Sequence, residues 1–152
     1  MLKIILHSER QVSPFNEPAR DLRIQNKPLW LAQRDVLSKY TDSELELTAN
    51  QSLPDIQEPC LVYRDNLFFD QDYIDLFIEK AINSGGAVQA AFQIEDLAFR
   101  EHCLPLSNSY TKKEDFYLAD LWFFPKGPTV DIKPITINME SKEIGYYHIP
   151  SY

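Results

Sequence analysis

Apolar residues in this chain come in short runs, and the spacing within and between them predicts its elements. Leu2 to Leu6 is apolar and closes at His7-Ser8-Glu9-Arg10, the pattern of a buried strand. Residues 7–27 carry Pro14, Pro18, three arginines and no hydrophobic period, which reads as a long polar loop. Loops beyond about 12–15 residues in compact domains are usually functional or disordered. Pro28 suits the first position of a helix, because its missing N–H is one the helix leaves unpaired. Leu29, Ala32, Val36, Leu37 and Tyr40 follow at helical spacing, so residues 28–40 form an amphipathic helix. Glu44 to Thr48 alternates polar and apolar as a half-exposed strand does, and Asn50 to Glu58 is a loop.

Cys60-Leu61-Val62-Tyr63 is a second buried strand, ending at Arg64-Asp65-Asn66. Asp70 is a good N-cap for a helix over residues 70–83, whose apolar face is traced by Tyr73, Ile74, Phe77, Ile78, Ala81 and Ile82. That helix stops at Ser84-Gly85-Gly86, where glycine supplies a left-handed terminal turn. Ala87 to Ile94 resumes as a strand and completes a strand–helix–strand unit at the spacing of a parallel crossover. Strands 2–6, 60–63 and 87–94 are expected to be parallel neighbours in one sheet, because near-continuous apolar runs demand burial on both faces. Glu95 to His102 reads as a short helix and Pro105 to Glu114 as a loop. Tyr117 to Phe124 is the most aromatic strand, stopped by Pro125-Lys126-Gly127-Pro128. Val130 to Met139 alternates, with Pro134 confining it to an edge or a bulge. The pattern is that of an α/β layered fold.

Composition narrows the chemistry. At 152 residues with 44% hydrophobic content the chain is one globular domain with a real core. Only 4 glycines are present, and no GxGxxG or GxxxxGK phosphate loop can be written. A net charge of −8 argues against an extended nucleic-acid footprint. The charge is uneven: residues 1–40 hold seven basic and four acidic residues, whereas residues 41–152 hold eight and nineteen. The N-terminal segment either meets an anion or carries solvated charges. Two cysteines, Cys60 and Cys103, make no disulfide framework, and no run approaches the roughly 20 apolar residues of a membrane span, so a reduced, cytoplasmic setting without membrane contact is expected.

Asp65 stands at the carboxyl end of a buried strand, where open α/β sheets place ligands and metals, and a carboxylate is the ligand Mg²⁺ prefers. The competing reading is that Asp65-Asn66 is only a turn. Arg10, Arg20, Arg23 and Lys27 in the 7–27 loop could grip phosphate oxygens or be solvated loop charges. His7 ends the first strand and can face the same crevice as Asp65, or serve as a structural hydrogen-bonder. His102 beside Cys103 lacks a second ligand pair for zinc, and no G-x-S-x-G elbow is present.

Taken in order, these segments resemble a known family. Lys3-Ile4-Ile5-Leu6, a long loop and Asn26-Lys27-Pro28-Leu29 resemble the start of the sugar-nucleotide pyrophosphorylases, nucleotidyltransferases of the GT-A-like fold. Leu61 to Asp70 (LVYRDNLFFD) is similar to their "GDN(L/I)F" segment, Ser84 to Val88 to the next turn, and Tyr117 to Phe124 to a later strand. The resemblance implies a three-layer, Rossmann-like α/β sandwich with a mainly parallel sheet. It implies transfer of a nucleotidyl group from a nucleoside triphosphate to a sugar 1-phosphate, with Mg²⁺ at Asp65, catalytic roles for Arg20 and Lys27, and substrate contacts from His7, Arg10, Arg23, Asn66 and Asp120. A nucleotide or nucleotide sugar is the implied ligand, and a C-terminal acyltransferase-like domain of a longer chain the implied partner. The departures are as informative: the glycine-rich signature loop is replaced by His7-Ser8-Glu9-Arg10, Arg64 stands where the family has glycine, and the second metal aspartate has no assigned counterpart. They imply reduced activity, or a noncatalytic regulatory or interaction domain on the same fold.

Overall fold

Alternation along the first strand decides how the sheet is buried. In β1 (Leu2–Leu6), Ile4 joins one apolar cluster and Ile5 the other, and β3 (Cys60–Arg64) repeats the division, with Cys60 and Val62 on one side and Leu61 and Tyr63 on the other. Between them lie α1 (Leu29–Leu37) and β2 (Ser43–Leu47). Beyond them follow β4 (Leu67–Phe69), α2 (Gln71–Ser84), β5 (Val88–Gln93), β6 (Phe116–Phe124), β7 (Lys133–Thr136) and β8 (Tyr146–His148). The computed structural model describes residues 1–7, 11–12, 17–18, 23–24, 27–48, 51–93, 111–112, 116–136 and 146–148.

The main sheet has the order β7-β5-β6-β3-β1-β2, with the two-residue strand Thr111–Lys112 joined to β6. β1 is parallel to β2 and β3, and β7 is parallel to β5, while β6 runs against both of its neighbours. The sheet is thus mainly parallel, as the α/β layered pattern of the sequence implies. One detail of the expected order is corrected. Strands 60–64 and 88–93 run the same way but are not neighbours, because the aromatic β6 is inserted between them. Burial on both faces, the feature the apolar runs encode, is satisfied by either order.

Both described helices lie on one face. Leu37 of α1 and Tyr73, Ile74, Phe77, Ile78 and Ala81 of α2 share a cluster with Leu61, Tyr63, Ala90, Leu121 and Phe123 of the sheet. On the other face Ile4, Leu47, Cys60, Val62 and Phe124 are covered in part by Ile56 and Ile132 from loops. α2 is capped as its sequence requires: the Asp70 carboxylate accepts from the Tyr73 N–H at 2.8 Å, and Gly85 adopts φ 77°. Ile82, expected on the apolar face, is 61% exposed. α1 begins one residue later than expected, since Pro28 has ψ 148° and is the N-cap, and helical structure stops at Leu37 before a turn through Tyr40.

Two parts of the chain expected to be loop carry short pairings. Gln11–Val12 pairs with Glu17–Pro18, and Arg23–Ile24 with Lys27–Pro28. Thr111–Lys112, within the loop expected over 105–114, is an added strand. Pro134 does sit on an edge strand, where its missing N–H costs no ladder bond. The helix expected over 95–102 lies outside the described residues. At the junction of β5 and β6 the register shifts between Leu118 and Trp122, and the Gln89 side chain donates to the Ala119 carbonyl at 2.8 Å. Gln89 thereby satisfies a carbonyl within the interrupted stretch of ladder.

Candidate functional site

Leu6 is the register partner of Arg64 and also of Leu47, so the residues that follow these strands emerge at one edge of the sheet. The Asp65 N–H donates to Leu6 O at 3.0 Å, and the His7 N–H donates to Leu47 O at 2.8 Å. Asp65 is therefore fixed at the carboxyl end of a central parallel strand, one strand away from His7. It is 3% exposed.

A cavity of about 290 Å³ opens beside it. Ile5, His7, Glu44 and Glu46 line it from β1, its end and β2, while Trp30, Gln33 and Arg34 line it from α1, with Asp65 completing the lining. The charges are arranged by register. Lys3 is opposite Glu44, and its buried ammonium lies 3.5 Å from the Glu44 carboxylate, which also accepts from Arg34 at 3.3 Å through both oxygens. Glu46, opposite Ile5, has its carboxylate 3.7 Å from His7 Nε2. The Arg34 guanidinium stands 5.0 Å from the centroid of the Trp30 ring, which is 39% exposed. Three carboxylates line the cavity against one guanidinium and one imidazole.

The turn that carries Asp65 is gripped from α1. Gln33 is 2% exposed, and its amide nitrogen donates to Asp65 O at 3.2 Å and to Leu67 O at 2.6 Å. Asn66 is buried in the same turn, and its Oδ1 has no hydrogen-bond partner among the described residues. For a divalent cation the donor chemistry fits in outline, because Asp65 supplies a hard anionic oxygen and Mg²⁺ is commonly held by one or two carboxylates completed by phosphates and water. Among the described residues no group of three or more His, Cys, Asp or Glu side chains could hold a metal by itself.

Of the residues singled out from sequence, the structure brings His7 and Asp65 together on the cavity, whereas Lys27, Asn66 and Asp120 do not line it. Lys27, just before α1, is ion-paired with Asp35 in the last turn of that helix. Asp120 accepts from Arg64 Nε at 2.7 Å, and since Tyr63 and Leu121 are register partners on the helix-covered face, this pair stands on the opposite face. Arg10 and Arg20 lie outside the described residues, and of Arg23 only the backbone pairing is described. Cys60 is a buried free thiol, and burial pushes its pKa up to about 11. Sequence reasoning missed Trp30, Gln33, Arg34, Glu44 and Glu46. A signal existed for Gln33 alone, a polar residue in phase with Leu29 and Leu37.

No family model and no curated protein matches the sequence. Solved structures do match the fold. One is a protein described as a glucose-1-phosphate thymidylyltransferase from Bacillus anthracis, crystallised with a sucrose, with a TM-score of 0.52 and 11% identity over 82% of this chain and 72% of that one. Two others are a 4-diphosphocytidyl-2C-methyl-D-erythritol synthase from Anaerococcus prevotii (TM-score 0.47, 10% identity, 91% of this chain and 89% of that one) and HddC from Yersinia pseudotuberculosis (0.46, 13%, 89% and 89%). At these identities the likeness is one of fold.

Proposed function

We propose that this chain is a sugar-nucleotidyltransferase-like domain that binds a nucleotide or nucleotide sugar at the carboxyl edge of its sheet, with transfer activity reduced by its altered site. The observation that carries the reading is Asp65, a buried carboxylate at the end of a central parallel strand beside a cavity, on this fold. Mg²⁺ held at Asp65 would neutralise phosphate charge there. Asp65 contributes a fixed anionic oxygen, and its position is set by backbone bonds to β1 and α1. His7 and Arg34 offer donors to a ligand in the cavity.

Weak transfer follows from how the cations are used. Lys3 and Arg34 are paired with Glu44, Lys27 with Asp35 and Arg64 with Asp120. Glu44 and Glu46 add negative charge to the cavity that a phosphate would approach. Backbone N–H contacts of the kind a glycine-rich loop provides are worth roughly 1.5–3 kcal/mol each to a charged ligand, so the glycine-free His7-Ser8-Glu9-Arg10 segment weakens binding by orders of magnitude unless Arg10, Arg20 and Arg23 compensate. The same pairing favours the second reading, a noncatalytic domain that senses a nucleotide sugar or docks a partner.

The test uses nucleoside triphosphates and nucleotide sugars with Mg²⁺. A ligand at 100 times its Kd stabilises by about 2.7 kcal/mol, a Tm rise of roughly 5–10 °C for this size. Asp65→Asn should remove that rise while keeping the bonds to Leu6 and Gln33, which use the backbone of residue 65. Pyrophosphate release with sugar 1-phosphates that depends on Asp65 establishes transfer. Binding without release establishes the noncatalytic reading, and a large loss of Tm in Asp65→Asn marks a structural role instead.

A further inference from the structure

The buried stripe of α1 is Leu29, Gln33 and Leu37, one residue per turn. An apolar side chain is the default at the middle position, since burying an amide is unfavourable unless its hydrogen bonds are replaced. Here they are replaced by two backbone carbonyls, those of Asp65 and Leu67, which flank Asn66 in the turn after β3. Asp65 is thus held from both sides, its N–H by Leu6 of β1 and its carbonyl by Gln33. Trp30, three residues before Gln33, and Arg34, four residues on from Trp30, line the same cavity as Gln33 and Asp65.

We infer that Gln33 is a positioning residue: it sets where the Asp65 carboxylate stands relative to α1 and to a ligand in the cavity. The ligand part of this inference rests on the function proposed above; the placement of the turn does not. A buried amide that served only to fill the helix–sheet interface would be replaceable by an apolar side chain of similar length without effect on Asp65. A positioning amide would not.

Two variants of the full chain separate these cases. In Gln33→Met the donors are lost and the volume is kept. In Gln33→Glu a protonated carboxyl can still donate to one carbonyl, whereas the carboxylate faces two carbonyl oxygens and cannot. Amide hydrogen exchange read by NMR should show the Asp65 N–H exchanging at least about tenfold faster in Gln33→Met, with the amides of β5 and β6 unchanged. In Gln33→Glu, protection of Asp65, corrected for intrinsic exchange and compared with wild type at each pH, should fall as pH rises. Where wild type binds a Mg²⁺–nucleoside triphosphate, Gln33→Met should raise Kd about 10–100-fold at a temperature where both proteins are folded. Unchanged Asp65 exchange in folded Gln33→Met overturns the inference. If that variant does not fold, pH-independent protection in Gln33→Glu overturns it. Absence of nucleotide binding by wild type defeats the proposed function alone, because the exchange measurement still decides the role of Gln33.

Discussion

Two glycines with positive φ show how differently one residue type can be constrained. At Gly85, φ 77°, an added Cβ would meet nothing within 4 Å, so Gly85→Ala carries only the left-handed backbone cost of about 1–2 kcal/mol. At Gly127, φ 87°, the Cβ would stand 1.8 Å from the carbonyl oxygen of Ile56, and backbone on one side must move. Gly127→Ala adds steric overlap to the same backbone cost, about 2–5 kcal/mol in all. Thermal unfolding followed by circular dichroism should show a Tm loss on the order of 10 °C for Gly127→Ala and about 4 °C for Gly85→Ala; equal losses would mean that the contact with Ile56 carries no energy. What was legible in sequence divides the same way. Gly85 and Asp65 were readable in position because their places follow from neighbours a few residues away, a helix end and a strand end. Gly127 was readable as a turn but not as a close approach, and the bonds of Gln33 reach 32 and 34 residues along the chain. Glu44 and Glu46 showed only alternation, and their pairing with Lys3 and His7 depends on a strand register that no local pattern specifies.

Among the elements, α2 was read almost to the residue because it carries both a side-chain cap and a glycine stop, whereas α1 has neither, and Pro28 fixes only its start. The two helices are tied together by polar contacts at their edges. Tyr40 donates its hydroxyl to Asp75, which also accepts from Gln71 at 3.0 Å and lies 3.4 Å from the Lys39 ammonium. Burial first, and the bond to Asp75 second, raise the Tyr40 pKa to about 12, while the hydrogen bonds from Tyr40 and then Gln71 lower that of Asp75. A phenol whose folded pKa is raised contributes stability below its unfolded value near 10, and that contribution is lost as pH climbs through 12. A carboxylate whose folded pKa is lowered contributes above its unfolded value near 3.8 and is lost on further acidification. Tyr40→Phe should therefore cost about 1 kcal/mol between pH 5 and 9 in urea titrations, given the half-exposed position. The difference from wild type should shrink above pH 10 and below pH 4, and a constant difference would show that the bond is not the source.

For the molecule as a whole, the layered α/β class and the shared direction of β1, β3 and β5 were written in the apolar runs, but the order of the sheet was not. A run such as Leu61-Val62-Tyr63 specifies burial on both faces and is silent about which strand lies beside it. The placement of β6 also determines the sequence of events in folding. β1, α1, β2 and β3 can assemble from the first 64 residues, but β3 waits for Leu121 to reach Tyr63, and β5 waits for Phe123 to reach Val88. Closing loops of that length precedes any reward from the pairing, which slows the step. Until then β3 and β5 each present an apolar strand with an open hydrogen-bonding edge, the arrangement most prone to pair with another chain. A fragment of residues 1–115 should therefore scatter light and sediment as aggregate at concentrations where a fragment of residues 1–136 stays monomeric. Synthesis on the ribosome imposes the same interval, so the time between residues 93 and 124 is when this chain most needs a chaperone.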